Sequence, residues 1–199
     1  MNLEILLWAA VPVAAILCVL LWIAAMKRAK KHNAAFQANL AAAKAEEALR
    51  KRYKTLDKKT AAADPPEQAI LGVGAHIQMK LEAAPHMTEA FEELTEFAKQ
   101  IYALSYLIET GSVGNFFRIY AKPLTSYAQQ AVEVYTDSVY AAAFRSFYAM
   151  YDSDDEAQSL LPAEEQAAAR AAEENPPDWS FAKEDLLARW EELSCVEFS

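Results

Sequence analysis

The chain has 199 residues, 54% of them hydrophobic, and its 28 acidic side chains outnumber 19 Lys and Arg to give a formal charge of −9. This length accommodates one compact domain and a connector, which excludes a pair of large domains. The scarcity of glycine, with four residues, argues against a turn-rich sheet protein. Cys18 and Cys195 stand at opposite ends of the chain and indicate neither a disulfide framework nor a metal knuckle.

The first element in chain order is an apolar run of 22 residues, 5–26, that contains no charged side chain. As a helix it would be about 33 Å long, which matches the hydrocarbon thickness of a bilayer. Trp8 and Trp22 stand near its ends, where indole rings favour the headgroup boundary. The run predicts an uncleaved transmembrane helix with the lipid bilayer as a partner, preceded by a short N-terminus, residues 1–4.

Charge on either side of the run predicts its orientation. Glu4 is the only charged residue before it, whereas four basic residues follow at once: Lys27, Arg28, Lys30 and Lys31. Because positive residues stay on the cytoplasmic side, we expect the N-terminus outside and the C-terminal bulk in the cytoplasm of a single-pass cell-membrane protein. These four cations and the two tryptophans form the predicted membrane interface.

The remainder of the chain divides sharply by charge. Residues 27–59 hold eleven Lys and Arg against three acids, whereas residues 60–199 hold eight against twenty-four. Strong helix formers without Pro or Gly predict a basic helical stalk over 27–63, and the acidic remainder predicts a cytoplasmic domain over 64–199. The basic stretch lacks interleaved aromatics or a recognition motif, so we expect no direct nucleic-acid binding.

The acidic domain reads as a series of amphipathic helices separated by Pro, Gly and Asx signals. No segment shows the sustained alternation of a strand, so the fold class is expected to be all-α with a compact multi-helix domain. Gly111 fits a helix stop, and Ser112, Thr125 and Asp137 fit helix starts. The predicted helices are Glu67 to Ala83, Met87 to Thr110, Ser112 to Tyr120, Thr125 to Tyr135, Asp137 to Tyr151, Pro162 to Glu174, and Phe181 to Leu193.

The helix predicted from Met87 to Thr110 has the clearest two-sided pattern. Its apolar stripe predicts core positions, and its opposite side predicts a solvated acidic face. The stripe comprises Met87, Phe91, Leu94, Ala98, Ile101, Leu104 or Ser105, and Ile108, and the acidic face comprises Glu89, Glu92, Glu93 and Glu96. Ten aromatic residues between 116 and 151 predict that the middle helices carry much of the core.

No arrangement of residues in the sequence is typical of a particular catalytic reaction. His32, His76 and His86 form no metal-ligand spacing, and no nucleophile motif or phosphate-binding loop is present. We therefore predict no catalytic residues, no metal and no cofactor. The acidic loop of Asp152, Asp154, Asp155 and Glu156 lacks the glycine and the terminal glutamate of a calcium-binding loop, and it is interpreted as exposed charge.

The segment YALSYLIETGSVGNFFRIYAKPLTSYAQQAVEVY, which begins at Tyr102, resembles the C-terminal domain family of the DNA-mimic proteins. The late segment DWSFAKEDLLARWEEL is similar to that family's closing turn and helix, and the resemblance extends over about 69–193. Matching positions are Glu109, Gly114, Phe116, Ile119, Tyr120, Ala128 and Ala131, whereas Val113, Asn115 and Arg118 depart from the family pattern. The resemblance implies an all-helical fold whose carboxylates imitate DNA phosphates toward a DNA-binding partner.

Three hypotheses follow. The preferred one is a non-enzymatic, membrane-anchored interaction module whose acidic surface binds a basic protein partner. Its candidate binding surface comprises Glu109, Gly114, Phe116, Arg118, Tyr120, Asp152, Asp154, Asp155 and Glu156. The first alternative is an enzyme or small-ligand protein with a pocket near Glu109, Gly114 and Arg118. The second is a structural spacer that self-associates through the stalk.

Overall fold

The structure, a computed structural model, describes residues 36–37, 40–151 and 162–194. Every regular element in these residues is an α-helix, which confirms the predicted all-α class. The chain falls into two compact units, Met1–Ala48 and Leu49–Ser199. In the first unit, the described residues 36–37 and 40–48 are helical, with their side chains exposed to solvent.

The predicted membrane segment, residues 5–26, lies outside the described residues together with Trp8 and Trp22. The four basic residues that follow the segment, at positions 27, 28, 30 and 31, also lie outside them. In the part of the chain that the structure does describe, no helix is both long and apolar enough to span a bilayer.

The helices are numbered in chain order. α1 covers residues 40–52. It is followed by α2 (Lys58–Ala63), α3 (Pro66–Ala83), α4 (Met87–Glu93), α5 (Glu96–Thr110), α6 (Val113–Ile119), α7 (Leu124–Tyr135), α8 (Ser138–Tyr151), α9 (Pro162–Glu174), α10 (Ser180–Ala188) and α11 (Trp190–Ser194).

Helix α5 is the centre of the second unit. It packs between α3 and α7, and the stack continues from α7 to α8 and from α8 to α9. Phe97, Ile101 and Leu104 are at most 1% exposed, as expected for a central helix that is covered on several sides. A side chain on Gly74 would overlap the hydroxyl of Ser105, so glycine is what allows α3 to lie close against α5.

Several helix predictions are confirmed. The third helix begins next to the predicted Glu67 and ends at Ala83, and α9 has the predicted bounds. Ser112 caps α6 by accepting a hydrogen bond from the backbone N–H of Asn115 at 3.2 Å. Asp137 caps α8 by accepting from the N–H groups of Val139 and Tyr140 at 2.7 and 2.9 Å. The signals at these positions are local, and side-chain caps act within one turn.

The single helix predicted from Met87 to Thr110 is wrong, because the chain leaves helical geometry at Leu94 and Thr95. Thr95 begins α5 by accepting a hydrogen bond from the N–H of Ala98 at 3.1 Å. The short α4 that results turns Met87 outward, and this residue is 50% exposed instead of lying in the core. The remaining stripe positions are buried or half-buried, so the pattern identified the core face but not the break.

The predicted cap at Thr125 is also wrong. Pro123 occupies the N-cap position of α7, and Thr125 lies one residue inside the helix, where its side chain is fully buried. The last predicted helix, Phe181 to Leu193, is interrupted at Arg189 and forms α10 and α11.

The segment before residue 64, which the sequence assigns to the stalk, contains a helix break and a buried residue. The helix that contains residue 52 ends there, and Asp57 starts α2 by accepting from the N–H of Thr60 at 3.1 Å. Tyr53, in the break between these helices, is fully buried, and its hydroxyl donates to Asp64 at 2.8 Å. Residues 49–63 therefore belong to the same compact unit as the acidic helices.

Candidate functional site

A tight turn between α5 and α6 provides one wall of a cavity. Gly111 ends α5 in the left-handed region, with φ of 67°, which confirms the predicted helix stop. The Ser112 cap then starts α6 immediately. The turn presents Gly114 toward α8, where a side chain at this position would meet the Phe147 ring at 3.5 Å, an ordinary contact distance.

The cavity, of about 480 Å³, lies between α6, α8, α9 and the prolines that follow α9. Its volume is within the range of small-ligand pockets. Apolar side chains cover much of the wall: Val113, Phe147, Ala169, Ala172, Pro176 and Pro177. Polar groups also face the space: Ser112, Asn115, Arg118, Tyr140, Glu165 and Glu173.

One ion pair lies at the solvent side of the cavity. Nη2 of Arg118 is 3.0 Å from Oε1 of Glu165, and the Tyr151 hydroxyl donates to the same oxygen at 3.1 Å. The pKa of Arg118 is raised above its usual range, first by the interaction of its guanidinium with Tyr151 and then by its hydrogen bond to Glu165. The Arg118 side chain is 61% exposed, so the pair holds the cation in position at the rim and adds little to stability.

Tyr140 is the unusual residue of this cavity. It is 6% exposed, it lines the space, and its hydroxyl forms no hydrogen bond to any residue that the structure describes. Burial raises the pKa of Tyr140 well above its usual value, so the phenol stays neutral. Its ring meets Trp179 edge-on, with the centroids 6.4 Å apart, which fixes the position of the ring while the hydroxyl is left for another partner.

The structure brings together only some of the residues predicted for the candidate surface. Gly114 and Arg118 line the cavity, whereas Glu109 is exposed outside it. Tyr120 is half-buried and packs on Tyr106, with ring centroids 4.8 Å apart. Burial first, and then the charges of Glu109 and Tyr106, raise the pKa of Tyr120 to about 12.

Phe116 does not belong to a surface, because it is fully buried between Phe117 and Tyr120. The seven-residue α6 turns this side inward, so a position included in the predicted binding surface is part of the core. The predicted acidic loop of Asp152, Asp154, Asp155 and Glu156 lies outside the described residues.

The acidic face of α4 and early α5 is a second feature with functional potential. Glu89, Glu92, Glu93 and Glu96 are all exposed. Behind them lies Lys99, 4% exposed, whose ammonium is 3.3 Å from Glu96 and 3.6 Å from Glu92. Burial opposes the charge of Lys99, but hydrogen bonds to Glu96 and Tyr127 outweigh it, so the pKa of Lys99 is raised and the lysine stays charged.

No family model, no curated protein and no solved structure matches the chain. Within the described residues, no group of three or more His, Cys, Asp or Glu is placed to hold a metal ion. Sequence reasoning missed Tyr140, Glu165 and Glu173 as neighbours of the α6 turn. These residues lie far from Gly114 along the chain, so no local pattern in the sequence indicates that they are close to it in the fold.

Proposed function

We propose that the chain is a membrane-tethered interaction module whose acidic head binds a basic protein partner. The observation that carries the proposal is the placement of the acidic side chains in Leu49–Ser199. Among those that the structure describes, only Asp64 is buried, and the others are exposed or half-buried. Since this unit contains fourteen Lys and Arg against twenty-five Asp and Glu, its formal charge is −11 and its surface carries a net negative field.

The acidic face formed by Glu89, Glu92, Glu93 and Glu96 is the part of this surface best suited to a cationic partner. Lys99 contributes one positive charge behind four carboxylates, which leaves a formal surplus of three negative charges. Glu89 and Glu93, one helical turn apart, form no ion pair with any described residue. A partner's lysines or arginines would supply the missing counter-charges.

The sign of the field selects the class of partner. Nucleic acids carry the same sign as this surface and would be repelled, whereas basic proteins would be attracted over a distance set by ionic strength. The resemblance to DNA-mimic domains also favours a basic protein partner, since the carboxylates of those domains imitate DNA phosphates. Exposed pairs of this kind contribute more to the association rate and to partner choice than to affinity.

The tether follows from residues 5–26 and the basic residues after them. A transmembrane helix would hold the head at the cytoplasmic face, and each lysine or arginine near an anionic leaflet adds on the order of 1 kcal/mol. Confinement to the membrane raises the effective concentration of the head toward membrane-associated partners. Moderate electrostatic affinity is then sufficient for function, and no catalysis is required.

The test is site-specific photo-crosslinking in cells that produce the full-length chain, with the photoreactive residue at exposed Thr88 of α4. We expect a crosslinked protein whose attached segment is rich in Lys and Arg, and a several-fold lower yield for the Glu89→Gln, Glu93→Gln variant. The matched control removes the same two charges from α9 through Glu164→Gln, Glu174→Gln and should leave the yield unchanged. The proposal would be contradicted if the crosslinking yield did not depend on the α4 charges. It would also be contradicted if the crosslinked segment of the partner were not rich in Lys and Arg.

A further inference from the structure

We propose that the cavity between α6, α8 and α9 is a binding site for a small organic ammonium compound with an apolar body. The argument begins at Tyr140, whose side chain is buried to more than nine-tenths and lines the cavity without a hydrogen-bond partner among the described residues. The hydroxyl oxygen is not sealed inside the protein but is open to the cavity, so a ligand there can form a hydrogen bond that the protein does not make internally.

The charges around the cavity determine the sign of the ligand. Arg118 is neutralised by Glu165, which lies 3.0 Å away. Glu173, which is exposed and also lines the cavity, forms no ion pair with any described residue. The cavity therefore has one formal negative charge in excess, and a monocation complements it. The phenol oxygen of Tyr140 and the carboxylate of Glu173 are both acceptors for an ammonium N–H group.

The remaining wall determines the shape and polarity of the ligand's body. Phe147, 1% exposed, packs with nearly parallel rings beside both Phe117 and Tyr151, with centroid distances of 6.0 and 6.2 Å. Together with Pro176 and Pro177 it offers a rigid apolar surface that changes little on binding. The volume of about 480 Å³ exceeds that of one amino-acid side chain, which favours a free small molecule over a single inserted lysine.

The probe is phenethylammonium, which combines an aromatic body with one ammonium group. Its matched analogues are 2-phenylethanol, which is neutral, and 3-phenylpropionate, which is anionic. Each is titrated into the full-length protein in nanodiscs of zwitterionic lipid, with empty nanodiscs as the blank, and binding is measured by saturation-transfer NMR. We expect saturable binding of phenethylammonium with a dissociation constant on the order of 1 mM, as a fragment of this size allows, and at least fivefold weaker binding of both analogues.

Two substitutions locate the site. Tyr140→Phe removes only the unpaired hydroxyl and should weaken phenethylammonium binding at least fivefold while the unfolding midpoint is kept or raised. Glu173→Gln should weaken it to a similar extent. The controls are Tyr148→Phe, whose hydroxyl pairs with Ser126 at 3.0 Å outside the cavity, and Glu174→Gln on the same helix, and both should bind normally.

Three results would overturn the proposal: no saturable binding, equal binding of the three compounds, or undiminished binding by Tyr140→Phe with an intact fold. The last result would mean that the hydroxyl is satisfied by water and that any bound compound sits elsewhere. The α4 crosslinking experiment is independent of all three, because no residue of the acidic face lines this cavity.

Discussion

The ring of Tyr53 lies directly against Gly72 of α3, so close that a Cβ atom at residue 72 would overlap the ring. Tyr53 is fully buried there, and its hydroxyl donates to Asp64, which also accepts from Arg52. This contact packs the residue just after α1 tightly against α3.

Replacing Gly72 with Ala is expected to destabilise the second unit by about 1–3 kcal/mol, because the added methyl forces Tyr53 out of its site. The gain in helix propensity, about 1 kcal/mol, is too small to reverse the sign. The control is Gly114→Ala, where the methyl meets Phe147 at 3.5 Å and stability should stay the same or rise. Urea unfolding of both variants, followed by near-ultraviolet circular dichroism, measures the difference. Equal stability of the two variants would show that Tyr53 does not pack as described.

The same contact is a packing that the sequence did not predict for the residues before position 64. Helix propensity and charge made residues 27–63 look uniform, because both are properties of single residues and near neighbours. The burial of Tyr53 depends on Gly72, nineteen positions later, and on Asp64, and no local pattern reports such a pairing. The all-α class, by contrast, follows from local preferences, and the structure confirms it.

Thr125 provides a second stability prediction. It is fully buried inside α7, and its hydroxyl has no hydrogen-bond partner in the described structure. Thr125→Val keeps the shape and removes the unpaired group, so the free energy of unfolding should rise by about 1 kcal/mol. In the matched variant Thr136→Val, a hydroxyl that donates to the Val132 carbonyl at 2.7 Å is lost, and stability should not rise. Thermal denaturation of both variants checks the prediction, and a fall for Thr125→Val would indicate a partner for its hydroxyl.

The cavity shows the same limit of sequence reasoning at the candidate site. The sequence places Gly114 and Arg118 in one candidate site because they lie only four positions apart along the chain, beside a predicted turn. Tyr140 comes from α8, and Glu165 and Glu173 come from α9, so their approach to α6 depends on how three helices pack. Local signals therefore predict one wall of the site, and tertiary structure supplies the residues opposite.

His76 should make stability depend on pH. It is 9% exposed, and its Nδ1–H donates to the Tyr53 carbonyl oxygen at 2.9 Å. Burial is the main cause that lowers the pKa of His76 below its ordinary 6.5, with a contribution from Lys80. Below pH 6.5 the unfolded chain binds a proton that the folded chain does not, so stability falls as the pH is lowered from 7 toward the folded pKa and levels off below it.

The measurement for His76 is urea unfolding of the wild type and of His76→Asn between pH 7 and 5. Asparagine keeps a donor near the Tyr53 carbonyl without titrating in this range, so the variant should lose less stability than the wild type. The exposed His86 serves as the control, and His86→Asn should retain the wild-type profile. If His76→Asn and the wild type have parallel profiles, protonation of His76 is not the cause of the pH dependence.

The predicted orientation across the membrane can be tested with the two native cysteines. Cys18 is in the apolar run, where a thiol stays protonated and unreactive, and Cys195 follows the last acidic helix. If the C-terminal bulk is cytoplasmic, a membrane-impermeant maleimide should leave intact cells unlabelled and should label one site after the membrane is permeabilised. Cys195→Ser should abolish this labelling and Cys18→Ser should preserve it, as read by the mass shift of the protein. Labelling of Cys195 in intact cells would place the acidic head outside the cell. It would show that the four basic residues after the apolar run do not determine the topology.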